Sequence, residues 1–212
     1  MATPKWVGFS ATDKTRQALL EEGESVLDER DFTLYRVSEL VRTPASGIEI
    51  GNQERPCASI EEALAIALPW QGFSLAYQVP ELPGRFYFYC WNIPGATGAG
   101  LELDPQAIYY SRPGYPEGLW LQNFLLDFTT ACELDCCVYG PDVPILEPAE
   151  LSAVLAGIRD GESVRFLMFR RNKVDNEELR ETFPKERLER YHAFPIGKNY
   201  YALSRLVHLD LP

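Results

Sequence analysis

The segment Arg85-Phe-Tyr-Phe-Tyr-Cys-Trp91 leaves a chain few ways to fold. In an extended strand successive side chains point to opposite faces. Phe86, Phe88 and Cys90 therefore share one face, and Tyr87, Tyr89 and Trp91 share the other. A strand that is large and apolar on both sides belongs in the middle of a sheet, with helices covering a face. The tyrosine and tryptophan side can also make hydrogen bonds, which suits the wetter face. Just before it, Phe73 to Val79 alternates apolar and polar residues, and Pro80 to Gly84 supplies turn chemistry. Together these predict an antiparallel hairpin.

Helix and strand signals alternate along the rest of the chain. Thr12 to Glu22 predicts a helix with Ala18, Leu19 and Leu20 as its apolar stripe and Gly23 as its stop. Phe32 to Val37 alternates as a strand, and Arg42 to Pro56 has the composition of a loop. Ser59-Ile-Glu-Glu62 is a capping box opening a helix that runs through Ala67 and stops before Pro69. Asn92 to Gly100 reads as a glycine-rich loop, Ala107 to Ser111 as a short strand, and Pro113 to Gly118 as a second loop.

Leu119 to about Glu133 predicts a long helix, with Trp120, Phe124 and Phe128 four residues apart. Cys136 to Tyr139 and Ser163 to Arg170 read as strands, Ala149 to Ile158 and Asn176 to Tyr191 as helices, and Tyr200 to Leu209 as a closing strand. The sum is an α+β fold: a mostly antiparallel mixed sheet of about six or seven strands, with four or five helices packed mainly on one face. Residues 1–212 are expected to form a single domain, with a candidate subdomain edge near residue 150, where the charge changes.

Charge is distributed unevenly. Between Glu61 and Glu150 stand twelve acidic residues and two basic ones, Arg85 and Arg112, an excess that nearly accounts for the net charge of −11. Basic residues concentrate in the last third, where acids at helical spacing offset them. A surplus of this sign disfavours nucleic acid and anionic membranes and favours a basic partner. Neither a secretory leader nor an apolar span is expected, which predicts a cytoplasmic protein. Five cysteines, three of them within Cys132 to Cys137, fit reduced, buried thiols better than a disulfide framework.

No motif names a chemistry. The Cys132-x3-Cys136-Cys137 cluster lacks the further ligands that structural zinc requires, so no metal is expected. His192 and His208 have no neighbours of triad type. Gly95 to Gly100 departs from both phosphate-binding glycine patterns and is followed by Glu102 and Asp104, so no cofactor is expected. The acids between Glu102 and Asp142 leave open a small hydrolase working through paired carboxylates.

The favoured reading is a non-enzymatic binder that masks a basic protein, in the form of an immunity protein or antitoxin neutralising a toxin. An acidic chaperone or adaptor for a secreted effector is the alternative from a neighbouring class. The expected partner-binding set is Trp91, Glu102, Asp104, Tyr115, Glu117, Asp127, Glu133, Asp135 and Asp142.

Overall fold

The aromatic segment does lie inside a sheet, as its two apolar faces require. The structure, a computed structural model, describes residues 4–10, 15–43, 47–78, 85–93, 96–103, 116–141, 165–172 and 191–205. In chain order these form β1 (Pro4–Ser10), α1 (Arg16–Asp28), β2 (Thr33–Thr43), β3 (Gly47–Pro56), α2 (Ile60–Ala67), β4 (Gly72–Gln78), β5 (Arg85–Ile93), β6 (Ala96–Leu103), α3 (Pro116–Ala131), β7 (Cys136–Pro141), β8 (Phe166–Arg170), β9 (His192–Ile196) and β10 (Tyr200–Ser204). The strands join in one sheet of order β3-β2-β4-β5-β6-β1-β7-β8-β10-β9, with every pairing antiparallel. No helix among the described residues is long and apolar enough to cross a membrane.

Local chemistry sets the helices. Thr15 caps α1 by accepting the Ala18 N–H at 3.1 Å, and Ser59 caps α2 by accepting the Glu62 N–H at 3.2 Å. The Glu62 carboxylate reaches back to the Ala58 N–H at 3.0 Å, one residue beyond the partner expected of a capping box. At their far ends α1 and α3 are finished alike. Phe32 N–H bonds the Leu27 carbonyl and Leu134 N–H the Thr129 carbonyl, with Asp31 (φ 55°) and Glu133 (φ 49°) in the left-handed conformation. Both are Schellman closures built on an acidic residue where glycine is usual.

All three helices pack on one face of the sheet. Leu19, Leu20 and Leu27 of α1, Ile60 and Ala63 of α2, and Phe124, Leu125 and Phe128 of α3 join one core with Leu75 and Tyr77 of β4 and Phe86 and Phe88 of β5. Phe32 is the hub, with its ring 5.0 Å from Phe86, 5.5 Å from Phe124 and 6.1 Å from Tyr77. Gly23 does not stop α1. It lies inside the helix, where a β-carbon would come within 3.0 Å of the Phe128 ring, so its missing side chain is what lets α1 and α3 approach.

The opposite face is also buried: Tyr89 and Trp91 of β5, Val138 of β7, Leu167 and Phe169 of β8 and Leu203 of β10 all lie below the surface. That face is drier than the polar atoms of its tyrosine and tryptophan suggest.

The α+β class and the antiparallel sheet stand, while the inventory differs. Ten strands and three helices occupy the described residues. β1, β3, β6 and β9 are strands that local composition does not reveal, and β2 runs six residues past Val37. The strand expected at 107–111, the helix at 149–158 and nearly all of that at 176–191 lie outside the described residues.

Candidate functional site

Among the described side chains, the expected acidic and aromatic residues do not form one exposed patch. Trp91 is 3 % exposed, in β5 on the sheet face away from the helices, and its indole N–H has no hydrogen-bond partner among the described residues. As a surface anchor it is corrected: the ring is part of the interior. Glu102 stands in β6 in register with Lys5 of β1 and Tyr87 of β5, and Glu117 falls in the first turn of α3. Asp104, Tyr115 and Asp142 lie outside the described residues.

The other three acids come together around α3, and each meets an arginine. Asp127 is exposed and ion-paired to Arg30 Nη2, while Arg30 Nη1 donates to the Val26 carbonyl at 3.1 Å and its guanidinium covers the Phe124 ring. Asp135 is buried, with a carboxylate oxygen 3.3 Å from Arg170 Nε. Arg170 Nη2 donates to the Glu133 carbonyl at 2.7 Å, approaches the Glu133 carboxylate at 3.9 Å, and the guanidinium lies 5.6 Å from the Tyr200 ring centre. This is a clasp tying the exit of α3 to β8 and β10. Its acids are neutralised from within, which argues against a reactive pair.

The helices carry acids in excess of bases. The three helices contain eight acidic residues and one basic residue, Arg16. Arg16 is engaged, since its Nη1 donates to the Trp70 carbonyl at 2.7 Å and its guanidinium covers the Phe73 ring. Glu21, Asp28, Glu61, Glu62 and Asp127 are exposed, and Glu22 and Glu24 partly so. α1 has no acid in its first turn and no base in its last, the reverse of what the helix dipole favours. Composition alone hid this, because the first sixty residues also carry arginines that serve the interior.

Between the last turns of α1, the first turn of α2 and strands β2 and β4 lies a notch of about 190 Å³. Glu24 and Asp28 stand at it from α1; Leu27, Phe32, Leu34 and Ile60 are its apolar lining, and Tyr77 closes it from β4. Among the described residues no lysine or arginine is bonded to Glu24 or Asp28. Burial, and after it the charges of Asp28 and Glu21, holds the Glu24 carboxyl above its ordinary range. Tyr77 is 3 % exposed, and its hydroxyl has no hydrogen-bond partner among the described residues. Burial first, then the neighbouring acidic groups led by Glu24, holds the phenol far above its ordinary range, so it stays protonated. Cys57, beside the notch, is pushed up to about 11 by burial and by Glu62.

All five cysteines are buried outside any disulfide, as expected of small core residues. The Cys132 thiol faces the Leu19 carbonyl at 3.7 Å, and Cys137 receives the Thr129 hydroxyl at 3.0 Å. Cys132 and Cys137 join the helix-side core, which does not include Cys136. No group of three or more His, Cys, Asp or Glu side chains among the described residues is placed to hold a metal ion.

No protein-family model matches the chain, and no curated protein matches it. One solved structure, the Pseudomonas aeruginosa T6SS protein PA0821, superposes with a TM-score of 0.46 at 10 % identity, covering 96 % of this chain and 68 % of that one. A likeness that distant carries no argument about function.

Proposed function

We propose that the chain is a non-enzymatic binding protein that masks a basic protein partner, acting in the cytoplasm as an immunity protein or antitoxin against a toxin with a positively charged surface. The observation that carries this reading is the helical layer. Three helices on one sheet face carry eight acids, Asp127 among them paired to Arg30, against a single helical arginine that is turned inward to the Trp70 carbonyl. A predominantly negative surface raises the encounter rate with an oppositely charged protein and disfavours other partners. The binding face thus moves from the central segment to the outer side of α1 and α2, with Asp127 of α3 at its border. The hydrolase reading weakens for a physical reason: Asp127, Glu133 and Asp135 are engaged with Arg30 and Arg170.

The test is capture of the partner from the native host with the intact chain, followed by kinetics with the purified pair. The expected result is one basic protein whose own activity falls when it is bound. Replacing Glu21, Glu61 and Glu62 together by lysine should lower the association rate at least tenfold at low salt, with a smaller effect at high salt. An unfolded effector recovered without loss of any activity would favour the chaperone reading. No partner, or one indifferent to both salt and charge reversal, would end the proposal.

A further inference from the structure

The notch differs from the rest of the acidic face in one respect: it has a polar floor with nothing to bond to. Carboxylates on an exposed helix are satisfied by water. Tyr77 lines the cleft, and its buried hydroxyl has no partner among the described residues, a polar group left unpaired that costs about 1–3 kcal/mol where it persists. That observation is independent of the acids beside it.

The shape narrows the occupant. About 190 Å³ is smaller than the clefts that hold cofactors or drug-sized ligands, and it suits one side chain. Two carboxylates without a bonded cation ask for positive charge. The apolar lining of Leu27, Phe32 and Ile60 asks for a cation that is weakly hydrated and flat. A guanidinium meets both demands: its five N–H groups lie in one plane, it sheds water more readily than an ammonium, and it stacks on aromatic rings.

We propose that this notch receives the guanidinium of an arginine side chain presented by the basic partner, with Glu24 and Asp28 accepting its N–H groups and the Tyr77 oxygen taking one more. The phenol can accept from the guanidinium and donate its own proton to a carboxylate, so occupancy satisfies both of its functions at once. This site rests on the reading of the chain as a binder of basic proteins and assigns that binding its anchor: one buried arginine surrounded by a looser electrostatic contact, as hot spots usually are.

The experiment uses the full chain labelled with ¹⁵N, titrated with N-acetylarginine amide, with N-acetyllysine amide, and with a short Gly/Arg peptide. Expected is saturable binding of the arginine amide, on the order of millimolar for so small a ligand. Its shifts should cluster at Asp28, Thr33, Leu34 and Ala58. The lysine amide should bind several-fold more weakly, and the peptide more tightly than the amide. Tyr77→Phe keeps the ring packed on Phe32 and Phe86 and removes only the oxygen; it should weaken arginine binding about tenfold. Glu24→Gln with Asp28→Asn should abolish it.

Equal affinity for lysine and arginine, unaffected by Tyr77→Phe and spread along α1 and α2, would overturn the notch while leaving the basic partner standing. A saturable arginine site in a chain that captures no basic protein would fail the functional reading instead. Binding of the amide with exclusion of the peptide would reassign the cleft to a free guanidinium compound and overturn the anchor.

Discussion

The exits of α1 and α3 are built on the same plan and carry opposite electrostatics. Each helix ends in a Schellman closure with an acidic residue at positive φ, Asp31 or Glu133, followed by a buried apolar residue, Phe32 or Leu134. At α3 the acids Glu133 and Asp135 meet Arg170, which is fixed by a carbonyl and by the Tyr200 ring. At α1 the neighbouring arginine, Arg30, turns away to Asp127 and Phe124, and Glu24 and Asp28 face a notch with no described cation bonded to them. The contrast separates two kinds of acid that look identical in a sequence. One kind holds the fold together. The other is held by the fold at some cost, with no described cation bonded to it.

That contrast can be broken most sharply at Arg170. Replacing it by alanine removes the arginine paired with the buried Asp135 carboxylate and should cost about 3 kcal/mol in urea-induced unfolding, within the range for removing one partner of a buried pair. A loss under about 1 kcal/mol would mean that the α3 exit is not a structural clasp.

Next in size is Gly23→Ala, which places a methyl 3.0 Å from the Phe128 ring and pushes α1 from α3. The crowding outweighs the gain in helix propensity, for a net loss of about 1 kcal/mol. A stabilised variant would show that the helix spacing is not set there.

The smallest effects carry the most information, because they should differ in sign. Asp127→Asn removes an exposed ion pair to Arg30 and should lower stability by at most about 1 kcal/mol. Glu24→Gln should do the reverse. Its carboxyl sits above the ordinary range, so the ionised form opposes folding; the stability that Glu24 contributes is full at low pH and is lost as pH rises through the raised value. The glutamine variant should therefore melt about 1–2 °C above the parent at pH 7, with the gap closing as pH falls through the carboxylate range. A melting series from pH 4 to 8 decides this, and a gap that widens on acidification would contradict the assignment. If Glu24→Gln also removes arginine binding, stability and function are opposed at one atom.

Much of the fold could be read from local pattern, and the failures share a cause. α2, with its Ser59 cap, and the β4–β5 pair follow from signals within ten residues, and so does the aromatic stripe of α3. β6 was hidden because glycine and alanine read as a loop. The register sets Gly98 opposite Trp91 and Gly100 opposite Tyr89, so small residues are present where large cross-strand neighbours need room. β3 and β9 are the two edges of the sheet, and edges tolerate the charges and proline that disguise them, Glu54 and Arg55 in one and Pro195 in the other.

The site was less legible. A surplus counted along the chain pointed to residues 61–150, yet availability depends on where the arginines turn, and only the tertiary structure shows Arg30 and Arg170 spent on Asp127 and Asp135. Tyr77 gave no signal, since a tyrosine in an alternating strand is ordinary until its hydroxyl is found alone.

The place of β1 has a consequence for how the chain reaches this state. It lies between β6 and β7, both of which come far later in the sequence. During synthesis β1 is made before either neighbour and waits for both with its hydrogen-bonding edges open. Sheets completed by such distant partners form slowly and expose strand edges meanwhile. The next described element is α1, and acidic charge on such a helix disfavours association between incomplete chains.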